Sequence, residues 1–462
     1  RYPPRSAPRP AGLRTAADRT HRRKRMPTTP QHPAVAALLR RARALGADPR
    51  NTNHAGGIAS AKGSATDPVT GQPVELLWVK GSGGDLGTLT EEGLAVLRLD
   101  RLRAALRATY PGAEHEDGMV PAFDYCLHGG GGAAPSIDTA MHGLLDAAHV
   151  DHLHPDSGIA LACAADGERL TRECFGDRVA WLPWRRPGFQ LGLEIAAVRE
   201  TDPRAVGVVL GGHGITAWGG TAEECEHNSL WMIRTAEEFL AGRGGAEPFG
   251  PTLGAGYEPL PAPERRARAA ALAPVLRGLV STDSRQVGHF TDTAPVLDFL
   301  SHAAHPRLAA LGTSCPDHFL RTKIRPLLLD LPATAPPDET IERLRALHAA
   351  YREEYAAYYA RYATADSPPM RGADPAIVLR RRNVLLRPGQ ADRASRRRVL
   401  SERRHGDARR GSRLLVHADR GVGEVPDRVL GAGGGQAAAP CSSGRSCPSM
   451  SPPPSSPSPA AT

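Results

Sequence analysis

The sequence has 462 residues, enough for two or three domains, and no run of it approaches the ~18 to 20 apolar residues of a membrane-spanning helix. The net charge of +9 comes from the two ends: residues 1–25 carry +8 and residues 380–462 carry +10, so that residues 26–379 carry −9. The basic ends lack interleaved aromatic residues, which argues against a nucleic-acid partner, and the seven cysteines form no CxxC pair, which favours a cytoplasmic protein with reduced thiols.

The first half of the chain is predicted to be a basic extension followed by an α/β domain. Residues 1–25 are rich in Pro and Arg without apolar periodicity, and we predict a disordered, non-native extension before Met26. Residues 26–245 are expected to form the first domain. Apolar periodicity and buried apolar runs predict its elements. Helices are expected at residues 33–45, 90–106, 136–148 and 221–240, strands at 75–80, 149–154 and 205–210, and a small-residue loop at 51–63.

The second half is predicted to contain one further ordered segment. A Pro/Gly-rich linker at 242–263 leads into an α/β segment at 260–370, which has helices at 264–280 and 338–362. The last 100 residues contain no aromatic residue and no Lys, so residues 371–462 are predicted to be a disordered Arg/Gly/Pro/Ser tail. The abrupt onset of the Arg run after Leu379 suggests a shifted reading frame.

Three histidines are candidate metal ligands. His152 and His154 would project from the same face of a strand, because side chains alternate along a strand. His213 follows the apolar run 205–210 on a glycine-flanked turn. A catalytic zinc site needs about three protein ligands and an open position. The sequence therefore predicts one Zn²⁺ per subunit, although an isolated His-x-His pair is more often structural.

An acid and two glycine loops accompany the histidines. Asp138 lies in a Pro-Ser-x-acid turn before His152 and is the candidate catalytic residue. Groups that could contact a phosphate through N–H groups, hydroxyls or a charge are Gly57, Ser60, Lys62, Ser82, Gly83 and Ser136. Glycine loops are often only turns, but a metal, an acid and an anion site together indicate chemistry on a phosphorylated sugar.

The expected reaction follows from charge. Cleavage of a carbon–carbon bond beside a carbonyl leaves an enediolate, which Zn²⁺ can stabilise as a Lewis acid while a carboxylate moves the proton. A Schiff-base lysine is the alternative. Residues 26–379 contain only Lys62, Lys80 and Lys323, which favours the metal route.

Five segments together carry a family resemblance. They are residues 135–139, 152–156, 186–189, 212–214 and the long motif 312–326. They resemble the class II aldolase/adducin family, and within it the aldolase half of the bifunctional rhamnulose-1-phosphate aldolase/short-chain dehydrogenase proteins.

This resemblance implies a three-layer α/β/α domain with a C-terminal α/β extension, in a homo-oligomer. It implies reversible cleavage of L-rhamnulose 1-phosphate to dihydroxyacetone phosphate and L-lactaldehyde. By the same likeness His152, His154 and His213 are the zinc ligands, and Asp138 stands where the family has a catalytic Glu.

Two departures from the family pattern affect function. Ile58 stands where the family has an Asn that donates a hydrogen bond near the substrate. The bifunctional relatives continue into a dehydrogenase domain, whereas Gly431–Gly435 follows no convincing strand, so NAD binding is not expected.

Two polar groups in the long motif have open interpretations. Arg321, Lys323 and Arg325 alternate and would share one strand face, either as a phosphate contact or as a solvated surface. Asp317 and His318 could be a second polar site or a structural turn. The rival functions are a catalytically impaired adducin-like binding protein, and an epimerase or aldolase for a related sugar phosphate.

Overall fold

The computed structural model describes residues 31–386, apart from 54, 130–131, 244–248, 254–259, 283–284, 333–334, 365–366 and 381–382. The predictions for residues 1–25 and for the chain beyond Leu386, including Gly431–Gly435, lie outside the described residues. The helices are α1 (Pro33–Ala47), α2 (Arg107–Thr109), α3 (Met119–Ala122), α4 (Thr139–Leu144), α5 (Asp156–Ala162), α6 (Gly167–Phe175), α7 (Phe189–Thr201), α8 (Ala222–Ala241), α9 (Ala262–Val280), α10 (Ala294–Ser301), α11 (His305–Ala310), α12 (Pro316–Thr322) and α13 (Pro337–Tyr362). The strands are β1 (Ile58–Thr66), β2 (Pro73–Lys80), β3 (Leu94–Arg98), β4 (His149–Leu153), β5 (Val179–Leu182), β6 (Gly207–Leu210), β7 (Gly214–Gly219), β8 (His289–Thr291), β9 (Leu327–Leu329), β10 (Ile377–Arg380) and β11 (Asn383–Leu386).

The first domain is a seven-stranded sheet between two layers of helices. The strand order is β3-β2-β1-β4-β7-β6-β5, and every pair is antiparallel except β5–β6. On one face, α1 and α8 share a buried apolar cluster with β1. On the other face, Met141 of α4 and Ile195 of α7 pack against Val150 of β4. The arrangement confirms the expected three-layer α/β/α fold.

The strand that carries the histidines lies at the centre of this sheet. Strand β4 pairs with β1 on one side and β7 on the other, and all five of its residues are buried. Its side chains alternate, so His152 shares a face with Val150 while Asp151 points to the opposite face, where it meets Arg41 of α1. His152, a candidate metal ligand, thus lies on the central strand of the sheet.

Several predicted elements are confirmed, and two of them by their caps. Helix α1 begins where the ring of His32 accepts a hydrogen bond from the N–H of Ala34. Helix α8 begins with the predicted capping pattern, because Thr221 Oγ1 accepts from the N–H of Glu224 at 3.1 Å and Glu224 accepts from Gly220 at 2.8 Å. Strand β2 and helices α9 and α13 also agree with the expected positions.

Three local predictions in the first domain are wrong. The expected loop at 51–63 contains the start of β1, because its small residues fit a strand packed between two neighbours with both faces covered. The expected helix at 90–106 instead contains β3, where Leu94 and Leu97 pair with β2, followed by a π-helical turn at Arg101–Leu106. The helix expected at 136–148 is shortened to α4, since the chain must turn into β4.

The second domain is a smaller α/β unit. Its four-stranded sheet has the order β8-β11-β10-β9, and α9 and α13 pack on it through Leu272, Leu344 and Val378. Strands β10 and β11 fall within the predicted tail, so the boundary at residue 370 is wrong. Ile377, Val378 and Leu379 are buried in this sheet, which explains how a stretch without aromatic residues still forms structure.

The predicted strand with alternating basic residues is also wrong. Arg321 lies in α12, and Lys323 ends that helix with a positive φ of 62°. Arg325 follows in an irregular segment and pairs with Glu354 of α13. The three residues therefore share no strand face. No helix in the described part of the chain is long and apolar enough to cross a membrane.

Candidate metal centre

His152, His154 and His213 converge at one end of the central strands. His152 lies in β4, His154 just after it, and His213 in the turn between β6 and β7. The Nε2 atom of His152 lies 3.0 Å from that of His154 and 3.1 Å from that of His213, and all three side chains are buried. The three histidines offer ligand atoms that lie within 4.8 Å of one another. The structure thus brings the three predicted ligands together.

The donor set fits a divalent metal ion. His152 Nδ1 lies 3.1 Å from the carbonyl oxygen of Ile215, which can only accept, so Nδ1 carries the proton and Nε2 presents a lone pair. Burial, and then the neighbouring imidazoles, lower the pKa of His152 and lower that of His213 to about 3, which keeps these rings neutral. Nitrogen ligands about 2.0–2.1 Å from a tetrahedral zinc would be roughly 3.3 Å apart, close to the spacing seen here.

The glycines of the β6–β7 turn allow this packing. Gly212 adopts a positive φ of 69° immediately before His213. A Cβ atom on Gly214 would lie 2.6 Å from Cδ2 of His154. A larger residue at 214 would therefore displace the His154 ring.

The second domain reaches the histidine cluster. Asp317, near the start of α12, places its Oδ2 atom 2.6 Å from Nδ1 of His154. Beside it, Asn53 Nδ2 lies 3.2 Å from His318 Nε2 and 3.4 Å from Cys315 Sγ. The sequence left two interpretations of Asp317 and His318 open, a polar site and a structural turn. The structure places both residues at a polar site. The specific motif at 312–326 was the signal for them in the sequence.

Asp138 lies immediately before α4 and has the properties of a proton-transfer group. Its Oδ1 atom is buried without a hydrogen-bond partner among the described residues. Burial and the negative charge of Asp317 raise the pKa of Asp138 to about 6, against the opposing effects of His154 and Lys80. A carboxyl group with this pKa exchanges protons near neutral pH. Lys80 is buried at the end of β2 and is a charged neighbour of Asp138. The sequence had suggested it only as a Schiff-base alternative and had not placed it at this site.

Four of the six predicted phosphate-contacting residues lie in loops. Gly57 has a φ of 72° and precedes β1, where a Cβ atom would lie 3.4 Å from the carbonyl oxygen of His152. Ser82 and Gly83 form an exposed turn after β2, and the Ser82 N–H donates to Ala134 in the loop of Ser136. The Ser136 hydroxyl is buried without a hydrogen-bond partner among the described residues.

The other two predicted residues have structural partners. Both lie in β1 rather than in a loop. The Ser60 hydroxyl lies 2.8 Å from Nδ1 of His142, which makes His142 a hydrogen-bonded helix residue. The Lys62 ammonium donates to the carbonyl of Ala147, and burial lowers the pKa of Lys62 to about 7. Lys62 lies four residues beyond Ile58, the Cα partner of His152, or roughly 13 Å along the strand. Ser60 and Lys62 therefore have partners within the fold, and their contact with phosphate stays a prediction.

Comparison with known families agrees with this architecture. Residues 36–240 match the family model described as class II aldolase and adducin N-terminal domain, and residues 267–399 match the one described as aldolase class II, second domain. The first domain is therefore a class II aldolase/adducin domain. The second match also continues past the predicted boundary at residue 370.

One curated relative and two solved structures illustrate the likeness. The chain is 34% identical over 329 residues to a Bacillus subtilis (strain 168) protein named uncharacterized oxidoreductase YuxG, and the match covers 71% of this chain and 47% of the relative. The chain thus spans about half the length of that relative. The N-terminal class II aldolase domain of a conserved protein from Thermoplasma acidophilum is 26% identical, covers 47% of this chain and 98% of its own, and has a TM-score of 0.41. L-Fuculose-1-phosphate aldolase from Thermus thermophilus is 18% identical to this chain and has a TM-score of 0.31. That match covers 46% of this chain and 96% of the aldolase.

Proposed function

We propose that the protein is a zinc-dependent sugar-phosphate aldolase that reversibly cleaves L-rhamnulose 1-phosphate to dihydroxyacetone phosphate and L-lactaldehyde. The observation that carries the proposal is the convergence of three buried histidines in a class II aldolase/adducin domain. The choice of rhamnulose 1-phosphate rests on the sequence motifs at 135–139 and 312–326. We further propose one zinc ion per subunit and a homo-oligomeric enzyme.

The chain supplies ligands and a proton-transfer group. His152, His154 and His213 would hold the ion through their Nε2 atoms, and the ion when bound supplies a Lewis acid for the oxygens of the substrate. In the cleavage direction, Asp138 takes the proton from the hydroxyl on the carbon that becomes the aldehyde. As the adjacent carbon–carbon bond breaks, its electron pair passes to the carbon of the other product, and Asp138 returns the proton there. The side-chain pKa of about 6 suits both steps.

The phosphate group is proposed to bind at the loops next to the site. The loop residues proposed for this role are Gly57, Ser82, Gly83 and Ser136. A Cβ atom on Gly57 would lie 3.4 Å from the carbonyl oxygen of His152, and the turn at Ser82 is hydrogen-bonded to the loop of Ser136. Backbone N–H groups and a hydroxyl can bind a phosphate dianion without a lysine.

One observation favours a second candidate function, an impaired adducin-like binding protein. Ile58 is buried in an apolar cluster with Leu77 and Val79, and its side chain offers no hydrogen bond to a substrate. An epimerase or an aldolase for a related sugar phosphate would use the same histidines and the same acid. The expectation that this chain does not bind NAD stays a prediction.

The test is a cleavage assay with the full chain on a panel of ketose 1-phosphates, with added zinc or with a chelator. We expect zinc-dependent formation of dihydroxyacetone phosphate, loss of activity in His152→Ala, and unchanged activity in His227→Ala, an exposed histidine of α8. A protein with one bound zinc that cleaves none of the panel is not an aldolase for these substrates. A protein that neither binds zinc nor cleaves them supports the binding-protein alternative.

A further inference from the structure

We propose that the second domain completes the metal centre, with Asp317 as a positioning residue that holds the imidazole of His154 for zinc. This inference rests on the proposed zinc-binding role of the three histidines. It adds a function for the second domain, which in the sequence appeared only as a separate α/β segment.

The contact is specific to one ring nitrogen. Asp317 Oδ2 lies 2.6 Å from Nδ1 of His154, whereas Nε2 of the same ring faces His152 at a distance of 3.0 Å. The carboxylate is therefore on the opposite side of the ring from the ligand position. Asp317 acts on the metal through His154 and is not itself a fourth ligand in this arrangement.

The three histidines differ in what holds their Nδ1 atoms. His152 Nδ1 lies 3.1 Å from the carbonyl oxygen of Ile215 and 3.0 Å from Thr216 Oγ1. His213 Nδ1 is buried with no hydrogen-bond partner among the described residues. Among the described residues His154 Nδ1 also makes no hydrogen bond, but it is the one of the three that lies within ion-pair distance of a carboxylate. A carboxylate beside Nδ1 favours the tautomer with the proton on Nδ1 and increases the electron density at Nε2.

The surrounding chain is built to admit this carboxylate. A Cβ atom on Gly56 would lie 2.5 Å from Asp317 Oδ2 and 1.6 Å from Asn53 Oδ1, so only glycine leaves room for both. Asn53 in turn contacts Cys315 and His318, the residues on either side of the Pro316–Asp317 pair. On the first-domain side, Cys163 Sγ donates to the carbonyl of Ser314 at 3.0 Å. The segment that carries Asp317 is thus attached to the first domain at several points.

The test measures zinc affinity, not turnover. Asp317→Asn keeps the shape of the side chain and removes its charge. We expect the zinc dissociation constant of the full chain, measured by competition with a chromophoric chelator, to rise by about 10- to 100-fold. Asp317→Glu, which restores the charge, should recover part of the affinity. The matched control is Asp330→Asn, which removes an exposed carboxylate of the same domain that pairs with Arg343, and it should bind zinc like the wild type.

A second variant displaces the carboxylate without removing it. Gly56→Ala should weaken zinc binding and, in the cobalt-substituted protein, should change the visible absorption bands in the same direction as Asp317→Asn. Equal zinc affinity for Asp317→Asn and Asp330→Asn would overturn the proposal. A lower Tm of the metal-free Asp317→Asn protein with unchanged zinc affinity would also overturn it, because Asp317 would then have a purely structural role. Because these readouts need no sugar phosphate, a wild type that binds zinc tightly but cleaves no substrate would refute the proposed function alone.

Discussion

Arg41 Nε lies 3.0 Å from Asp151 Oδ1, and the two side chains are 1% and 0% exposed. This ion pair joins α1 to the middle of β4, on the face of the sheet opposite the side chain of His152. Arg41 also donates to the carbonyl of Ser60 at 2.8 Å, and Asp151 accepts from Ser229 Oγ at 3.1 Å. The residue next to Asp151 is the candidate metal ligand His152, so the pair fixes the strand from which this side chain projects.

Loss of Asp151 should therefore destabilise the first domain. Asp151→Ala leaves the Arg41 guanidinium buried without its partner, which costs about 3–5 kcal/mol of unfolding free energy. Urea denaturation followed by fluorescence measures this change. Glu223→Ala is the matched control, because Glu223 forms an exposed pair with Arg40 and its loss should have no measurable effect. Equal midpoints for the two variants would contradict the role assigned to the pair.

Asp138→Asn should lower kcat and leave zinc bound. The variant keeps the size of the side chain but cannot take up a proton, which removes general acid–base catalysis worth about 10²- to 10⁴-fold. The measurement is steady-state cleavage together with zinc content by mass spectrometry. Asp146→Asn removes an exposed carboxylate shortly after α4 and should leave both quantities unchanged. If Asp138→Asn retains full kcat, another group moves the proton.

Gly214→Ala should weaken zinc binding by a steric route. The added methyl group would lie 2.6 Å from both Cδ2 of His154 and the carbonyl oxygen of Leu153, so the ring must move. We expect a higher zinc dissociation constant and a smaller effect on the Tm of the metal-free protein. Gly118→Ala is the control, since a Cβ atom there meets no atom within 4 Å and the backbone φ of −71° suits alanine. Unchanged zinc affinity in Gly214→Ala would show that the ring does not depend on this close approach.

Ile58→Asn tests whether this position limits activity. Ile58 is 6% exposed and is the Cα partner of His152 in the β1–β4 ladder. Placing an amide in its apolar cluster should reduce the unfolding free energy by about 1–3 kcal/mol. If the amide reaches the substrate, kcat for ketose 1-phosphate cleavage should rise. Ile58→Leu is the control for packing alone, and it should leave kcat unchanged. A loss of stability without a gain in kcat would show that Ile58 does not limit catalysis.

The convergence of the three histidines could be predicted in part because the spacing of two of them has a direct geometric meaning. His152 and His154 are two residues apart on a strand, which puts them on one face. His213 follows a buried apolar run with glycines on both sides, and the family resemblance placed it with the other two. Asp317 could not be assigned in the same way. It is far away in the chain and in another domain, and its position depends on how α12 packs against Asn53 and Gly56.

The same distinction explains the errors in the fold. Leu94, Leu97 and Leu102 have the spacing of a helix, but pairing with β2 imposes a strand on the first two. The segment around Ser60 and Lys62 is rich in small residues, as loops often are, but pairing with β2 and β4 places it inside the sheet. In each case long-range pairing overrides local preference.

The pH dependence of stability should be governed partly by Asp374 in the second domain. Its side chain is 3% exposed and accepts hydrogen bonds from His348 Nε2 at 3.0 Å, from Thr282 Oγ1 at 2.8 Å and from Arg352. Burial alone would raise the pKa of Asp374, but these three donors outweigh it and hold the pKa below its ordinary value. The ionised form is therefore the one that stabilises the fold. This contribution is complete above the unfolded-state pKa of about 3.9 and is lost as the pH falls from there through the folded-state pKa.

Asp374→Asn should lower the Tm at pH 7 and flatten its dependence on pH below about 4, measured by calorimetry. Asp298→Asn, an exposed aspartate of α10, should keep the wild-type profile. An Asp374→Asn profile with the same acid-dependent fall as the wild type would show that other carboxylates account for it.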